Sequence, residues 1–142
     1  MKSLLAKYSN QLNKTNCYSW GILLVRLVMG LAFVYHGWGK IQTPFSWMPP
    51  EAPIPGFLQG LAALSEFGGG LGLVLGLLVP LGTLGMFFTM TVATLFHVTH
   101  GDPFVGMAAP TYELPLLYLV LTIFILLNGP GKFSADYKIF SR

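Results

Sequence analysis

Residues 57–79 read FLQGLAALSEFGGGLGLVLGLLV. Apart from Gln59, Ser65 and Glu66, the stretch is apolar or glycine. A helix rises ~1.5 Å per residue and needs ~20 residues to cross the hydrocarbon core of a bilayer. The segment is long enough, and it carries one carboxylate, Glu66, near its middle. A charge at that depth is costly unless it is protonated, paired or hydrated, so an intramembrane ionisable group is a functional candidate by default. Its partner is the first thing to find.

The rest of the chain has the same character. Of 142 residues, 54% are apolar and 9% are charged, against about 25% charged in soluble domains. From Trp20 to Thr99 only Arg26, Lys40, Glu51 and Glu66 carry full charges. These are too few to solvate a globular surface, and one small core could not hide so much apolar chain. The fold class predicted is an all-α membrane protein, a four-transmembrane-helix bundle. Its spans fall at about 19–41, 57–79, 81–100 and 112–129. Pro80 and Gly82 predict a tight hairpin between the second and third spans. Gly129-Pro130-Gly131 and Lys132 stop the fourth.

Residues 1–18 and 130–142 are then tails flanking the transmembrane domain 19–129. Lys2, Lys7, Lys14, Lys132, Lys138 and Arg142 flank the termini, whereas Lys40 is the single base at the other end. The positive-inside rule places both termini in the cytoplasm. The net charge of +3 is mostly this topology signal and gives no support for nucleic-acid binding. No cleavable signal peptide is evident. The lone cysteine, Cys17, excludes an intramolecular disulfide and any multi-cysteine metal or iron–sulfur site. Residues 1–16 read equally as a short amphipathic surface helix or a loosely ordered tail. Residues 42–56 hold Pro44, Pro49, Pro50, Pro53 and Pro55, which predicts an extended external loop anchored by Phe45 and Trp47, a stiff connector or a lid.

On the first span Arg26, Gly30, Phe33, Gly37 and Lys40 share one stripe at helical spacing, with His36 at its edge. On the second, Glu66 shares a face with Ala62, Ala63, Gly69, Gly70 and Leu73. A separate stripe, Gly68, Gly72 and Gly76, reads as a small-xxx-small packing surface, toward a neighbouring span or another subunit. The third span carries His97 with His100 one turn beyond, and Glu113 opens the fourth. Depth along the helices puts Glu66 between Arg26 and His36. Arg26 is the preferred partner, because a guanidinium suits a partly dry carboxylate. A purely structural ion pair is nearly as good a reading. His97 and His100 have metal-ligand spacing, but two histidines one turn apart are common by chance, and without cysteines nearby no metal is the expectation. Met86 and Met90 read as packing, and Glu113 reads equally as a helix cap.

Three histidines, two carboxylates, a lysine and an arginine thus converge on four helices. Histidine titrates near neutral pH, so the set can relay protons. With Trp38, Tyr35, Phe67 and Tyr112 nearby it can also hold a flat redox-active lipid, a quinone.

These residues resemble a known family. Arg26-Leu-Val-Met-Gly-Leu-Ala-Phe-Val-Tyr-His-Gly-Trp-Gly-Lys40 is similar to the first-span signature of the DoxX family, and Glu66-Phe-Gly-Gly-Gly-Leu-Gly-Leu-Val-Leu-Gly-Leu-Leu to its second. His97, Glu113 and Gly129-Pro130-Gly131 complete the pattern. The resemblance covers about residues 20–136. It implies a small four-helix protein of the bacterial inner membrane, related to quinone-reducing thiosulfate oxidoreductase subunits and to membrane partners of redox or sulfur-transfer proteins. The 42–56 loop and His100 go beyond that pattern.

The expected function is a quinone-linked redox subunit or the membrane component of an oxidoreductase or sulfur-metabolism complex. Arg26, Glu66 and His97 would be central, with His36, Lys40, Glu113 and Trp38 lining the ligand pocket. The alternative is a non-enzymatic anchor or assembly subunit held to a partner protein or a second copy through Gly68, Gly72 and Gly76. A small proton-coupled transporter ranks third, because four spans are few for alternating access.

Overall fold

The computed structural model describes residues 16–51, 54–107 and 110–141. The expectations for the amphipathic 1–16 segment and for Lys2, Lys7, Lys14, Pro53 and Arg142 fall outside them, save for the backbone of Asn16. Every regular element among the described residues is a helix. In chain order these are α1 Asn16–Gln42, α2 Gly56–Leu75, α3 Val79–Thr99, α4 Glu113–Asn128 and α5 Ala135–Phe140. The first three are long and apolar enough to cross a membrane. The fourth is apolar but shorter, at 16 residues.

Each long helix packs against the next in sequence, α1 on α2, α2 on α3 and α3 on α4, whereas α1 and α4 scarcely touch. The core is a column of Met29, Phe33, Leu73, Met86, Met90 and Ile125. Outside it, Leu24, Val28, Tyr35, Leu64, Leu75 and Leu127 are exposed, an apolar exterior suited to lipid.

Glycines set how closely the helices approach. A Cβ on Gly30 would sit 2.8 Å from the Gly70 carbonyl oxygen, and one on Gly70 would sit 2.8 Å from that of Gly30. Such backbone-to-backbone packing is what small residues allow in membranes. It also fixes the register of α1 on α2. Gly69 meets Gly82 of α3 in the same way. The expected stripe is displaced by this geometry. A Cβ on Gly68 or Gly72 would meet only its own helix's Leu64 or the adjoining Leu77, while Gly76 lies against Arg26 and Ser134. Gly76 therefore does not belong to a free packing face.

The hairpin between α2 and α3 is built differently from the expectation. The turn is Gly76 to Leu78, not Pro80 to Gly82. Gly76 adopts φ 69°, the left-handed helix cap that glycine accepts readily, and the Leu77 N–H donates to the Gly72 carbonyl. Pro80 lies in the first turn of α3, where a missing N–H is harmless. Leu78, at φ 51°, precedes α3 and offers no side-chain cap. The cap comes from far along the chain. Asp136, fully buried at the start of α5, accepts from Leu78 N–H at 2.8 Å and from Val79 N–H at 2.9 Å. Its own N–H donates to the Gly76 carbonyl at 2.9 Å.

Replacing Asp136 with Ala should cost about 1–3 kcal/mol by leaving buried amides unsatisfied, and Asp136→Asn should cost less because one acceptor remains. Thermal unfolding of the purified protein in a single detergent measures this. An unchanged midpoint in Asp136→Ala would remove the long-range cap from the account.

Candidate functional site

Glu66 is buried on α2, its side chain 2% exposed. Its partner is Lys40, not Arg26. The Lys40 Nζ donates to both carboxylate oxygens at 2.6 Å. The Gly30–Gly70 contact explains the exchange. It puts Arg26 level with Leu73 and Val74, whereas Gly37, further along α1, lies against Phe67 beside Glu66. Arg26 is thus roughly 11 Å away along the axis. Lys40, one turn above Glu66, reaches back along the helix surface with its long stem.

Arg26 has another task. It is 1% exposed. Its Nε donates to the Leu73 carbonyl at 2.9 Å, and Nη1 donates to the carbonyls of Pro130 at 2.7 Å and Phe133 at 3.1 Å. The Asp136 carboxylate acts on it electrostatically. Arg26 therefore ties α1 to the end of α2 and to the turn after α4, far from the carboxylate it was expected to serve.

The chain around Trp47 folds back over Lys40. The Trp47 ring centroid lies 4.6 Å from the Lys40 Nζ, a cation–π contact. Gln59 of α2 holds the loop there. Its backbone carbonyl accepts from Trp47 Nε1 at 3.0 Å, its side-chain oxygen accepts from Met48 N–H at 3.0 Å, and its amide donates to the Ile54 carbonyl at 3.0 Å. Gln59 is buried among apolar neighbours. A lone amide in a membrane helix was the available sign of this strap.

Beside the ion pair lies a cavity of about 220 Å3 to which α1, α2, α3 and α4 all contribute. Phe33, His36 and Lys40 come from α1, Glu66 from α2, His97 from α3 and Tyr118 from α4. His97 sits at its edge with Nδ1 2.7 Å from Asp102 Oδ2. Gly101, at φ 77°, turns the chain after α3 so that Asp102 returns onto the histidine, and the Asp102 N–H donates to the His97 carbonyl at 3.1 Å. With Nδ1–H bonded to a carboxylate, Nε2 is the nitrogen left to exchange a proton. Asp102, which the sequence presents as an ordinary loop acid, is the residue that sequence reasoning missed here.

Other expected residues stand outside this chamber. Trp38 is exposed and packs on Phe67 at 5.7 Å between ring centroids. Glu113 is exposed in the first turn of α4, while its neighbours Leu114 and Pro115 line the cavity. His100 donates from Nδ1 to the Phe96 carbonyl at 2.8 Å and stacks on that ring, so it does not join His97. Among the described residues no group of three or more His, Cys, Asp or Glu comes together as a metal would require.

A family model described as DoxX matches residues 21–99. The chain belongs to the DoxX family. The match covers Arg26, Lys40, Glu66 and His97 but ends before Asp102 and Asp136. The inner membrane protein YqjF of Escherichia coli (strain K12) is 34% identical over 121 residues, spanning 82% of this chain and 89% of that relative. No solved structure matches the chain. With its membrane-length helices, this DoxX-family chain is a multi-pass protein of the bacterial inner membrane.

The pairing can be tested by a double-mutant cycle. Lys40→Met strands a buried carboxylate and should cost about 3–5 kcal/mol. Adding Glu66→Gln should recover most of that loss. Arg26→Met and Glu66→Gln, in contrast, should add. Coupling between Arg26 and Glu66 instead of Lys40 and Glu66, seen in thermal midpoints, would reinstate the arginine as partner.

Proposed function

We propose that this chain is the membrane subunit of a quinone-linked redox system. It spans the bilayer four times, with both termini cytoplasmic and the chamber in the outer half. The observation that carries the reading is the chamber's chemistry. A Lys40–Glu66 pair with its carboxylate buried forms one wall and a His97–Asp102 pair lies at the edge, inside helices that are otherwise apolar.

A quinone head group needs donors at its carbonyl oxygens and a source of protons. Lys40 Nζ and protonated His97 Nε2 are donors on different helices. Reduction to the quinol adds two electrons and two protons to the ring, and reoxidation releases them. The electrons pass to or from the redox centre of a partner protein. The chain's own groups bind the ring and move protons. His97 exchanges with the outside because its partner Asp102 lies in the external loop, and Glu66 receives or returns a proton when its lysine partner is engaged by a carbonyl. Asp102 is then a positioning residue, holding the imidazole in one tautomer.

A second reading is favoured by the completeness of the ion pair. Lys40 already satisfies both Glu66 oxygens beneath the Trp47 ring, which suits a structural lock in an anchor or assembly subunit. The readings differ in outcome. Protein purified in native-lipid discs should retain quinone, and Glu66→Gln and His97→Ala should abolish quinone-dependent turnover with its redox partner. Asp102→Asn should lower turnover more than head-group affinity. If no quinone is retained, and Glu66→Gln supports growth as well as the parent while Gly72→Leu disrupts a complex, the anchor reading stands.

A further inference from the structure

A second cavity, of about 280 Å3, lies along the same seam between α1 and α4. Its walls are Leu24, Val25, Val28 and Met29 of α1 with Tyr118 and Leu121 of α4, and no polar side chain other than Tyr118 borders it. Tyr118 also borders the polar chamber. Its ring packs on Phe33 at 4.9 Å and edge-on to His36 at 6.3 Å between centroids. The two cavities thus adjoin at Tyr118, where the seam changes character. Charged and imidazole groups lie on the Lys40 side, and aliphatic groups lie on the side of the termini.

The gap is built into the connectivity. α1 and α4 scarcely touch along their lengths. They are joined at the terminal end through Arg26 and the carbonyls of Pro130 and Phe133. The groove opens sideways, where Leu24 and Val28 are 61% and 71% exposed. Each cavity alone is smaller than the roughly 300–1,000 Å3 typical of small-molecule sites, whereas the two joined fall within that range.

We propose that the α1–α4 seam is a single binding site for a membrane amphiphile. Its polar head occupies the Lys40–Glu66–His97 chamber and its hydrocarbon chain lies in the Leu24–Leu121 groove, entering from the bilayer between α1 and α4. This rests on the quinone reading for the head group alone; the groove assigns the chain. Chain burial should then govern affinity, because the groove offers aliphatic contact over its whole length. Tyr118 divides head from tail and is the residue that sets their spacing.

Purified protein in lipid discs provides the test, with quenching of Trp47 as readout in a Trp20→Phe, Trp38→Phe background. Trp47 lies over Lys40 and so reports on the chamber. The probes are a dimethoxy-methyl-benzoquinone without a side chain and its decyl homologue. Val25→Phe and the exposed-site variant Val28→Phe fill the groove, and Leu75→Phe on the outer face of α2 is the control. Each groove variant should weaken the decyl homologue about tenfold or more relative to the parent while changing the chainless ring by less than about twofold. Leu75→Phe should change neither. Comparing variants in the same discs cancels partitioning into lipid. Equal effects on both probes, or none on either, overturn the groove assignment while leaving the head-group reading intact. If neither quinone quenches Trp47, but a chain-bearing spin-labelled lipid is immobilised by the parent and released by Val28→Phe, the seam stands and the quinone reading fails. A spin label released equally by Leu75→Phe marks only annular lipid and sinks the proposal.

Discussion

Arg26 donates to carbonyls of Leu73, Pro130 and Phe133 from a site that is 1% exposed, and the bundle closes through it. Only one of those carbonyls belongs to a helix. The others lie in the turn that follows α4, where the Gly129-Pro130-Gly131 sequence leaves backbone oxygens without helical partners. A guanidinium presents five donors in a rigid fork and stays charged, so it can satisfy several such oxygens at once. Lysine could not span them. A buried cation without this ring of acceptors would be strongly destabilising in an apolar bundle. The Asp136 carboxylate, which caps α3 beside it, supplies the compensating charge. The clamp therefore does at one end what direct contact between α1 and α4 does not do along their length.

Register follows from glycine in the same way that closure follows from arginine. Gly30 on Gly70 leaves no room for sliding, since a shift in either direction would drive a side chain into a backbone. With that contact set, Glu66 must face the upper part of α1 and Arg26 must face the end of α2. The two charges of α1 are divided between two duties: Arg26 holds the terminal end together and Lys40 closes over the carboxylate. The strap from Trp47 to Gln59 then covers Lys40, so the ion pair is covered from the loop side but borders the chamber toward the seam.

The positions of the helices were legible in the sequence because apolar runs and their breakers are local signals. So was the set of charged and imidazole groups, whose cost in a membrane makes each one conspicuous. Who pairs with whom was not legible. Depth counted from span ends carries an error of several residues. That error is enough to exchange Arg26 for Lys40, and only the glycine contact corrects it. Asp136 and Asp102 were overlooked for a different reason. Both lie beyond the apolar segments, where an acid looks like ordinary solvent-facing chain. One caps a helix whose local sequence offers Leu78 in place of a capping residue, and the other returns onto His97 through a left-handed glycine. Trp38 and Glu113 are close in sequence to chamber residues, but nearness along the chain does not show which way a side chain turns, and both are exposed.

A bundle whose consecutive helices pack tightly, but whose α1 and α4 meet chiefly through Arg26, the turn after α4 and the Tyr118 ring, leaves room for a ligand between those two. Tightening the α1–α4 contact to match the others would need small residues at Val25, Met29, Tyr118 and Leu121, like the glycines that let α2 approach α1 and α3. The chain has large ones there instead. The polar groups at the Lys40 end of that seam come from α1, α2 and α3, so their geometry depends on the bundle and not on any one hairpin. Chemistry in this protein is therefore tied to the line along which its helical ring is least complete, and Arg26 holds that line at a fixed width without filling it.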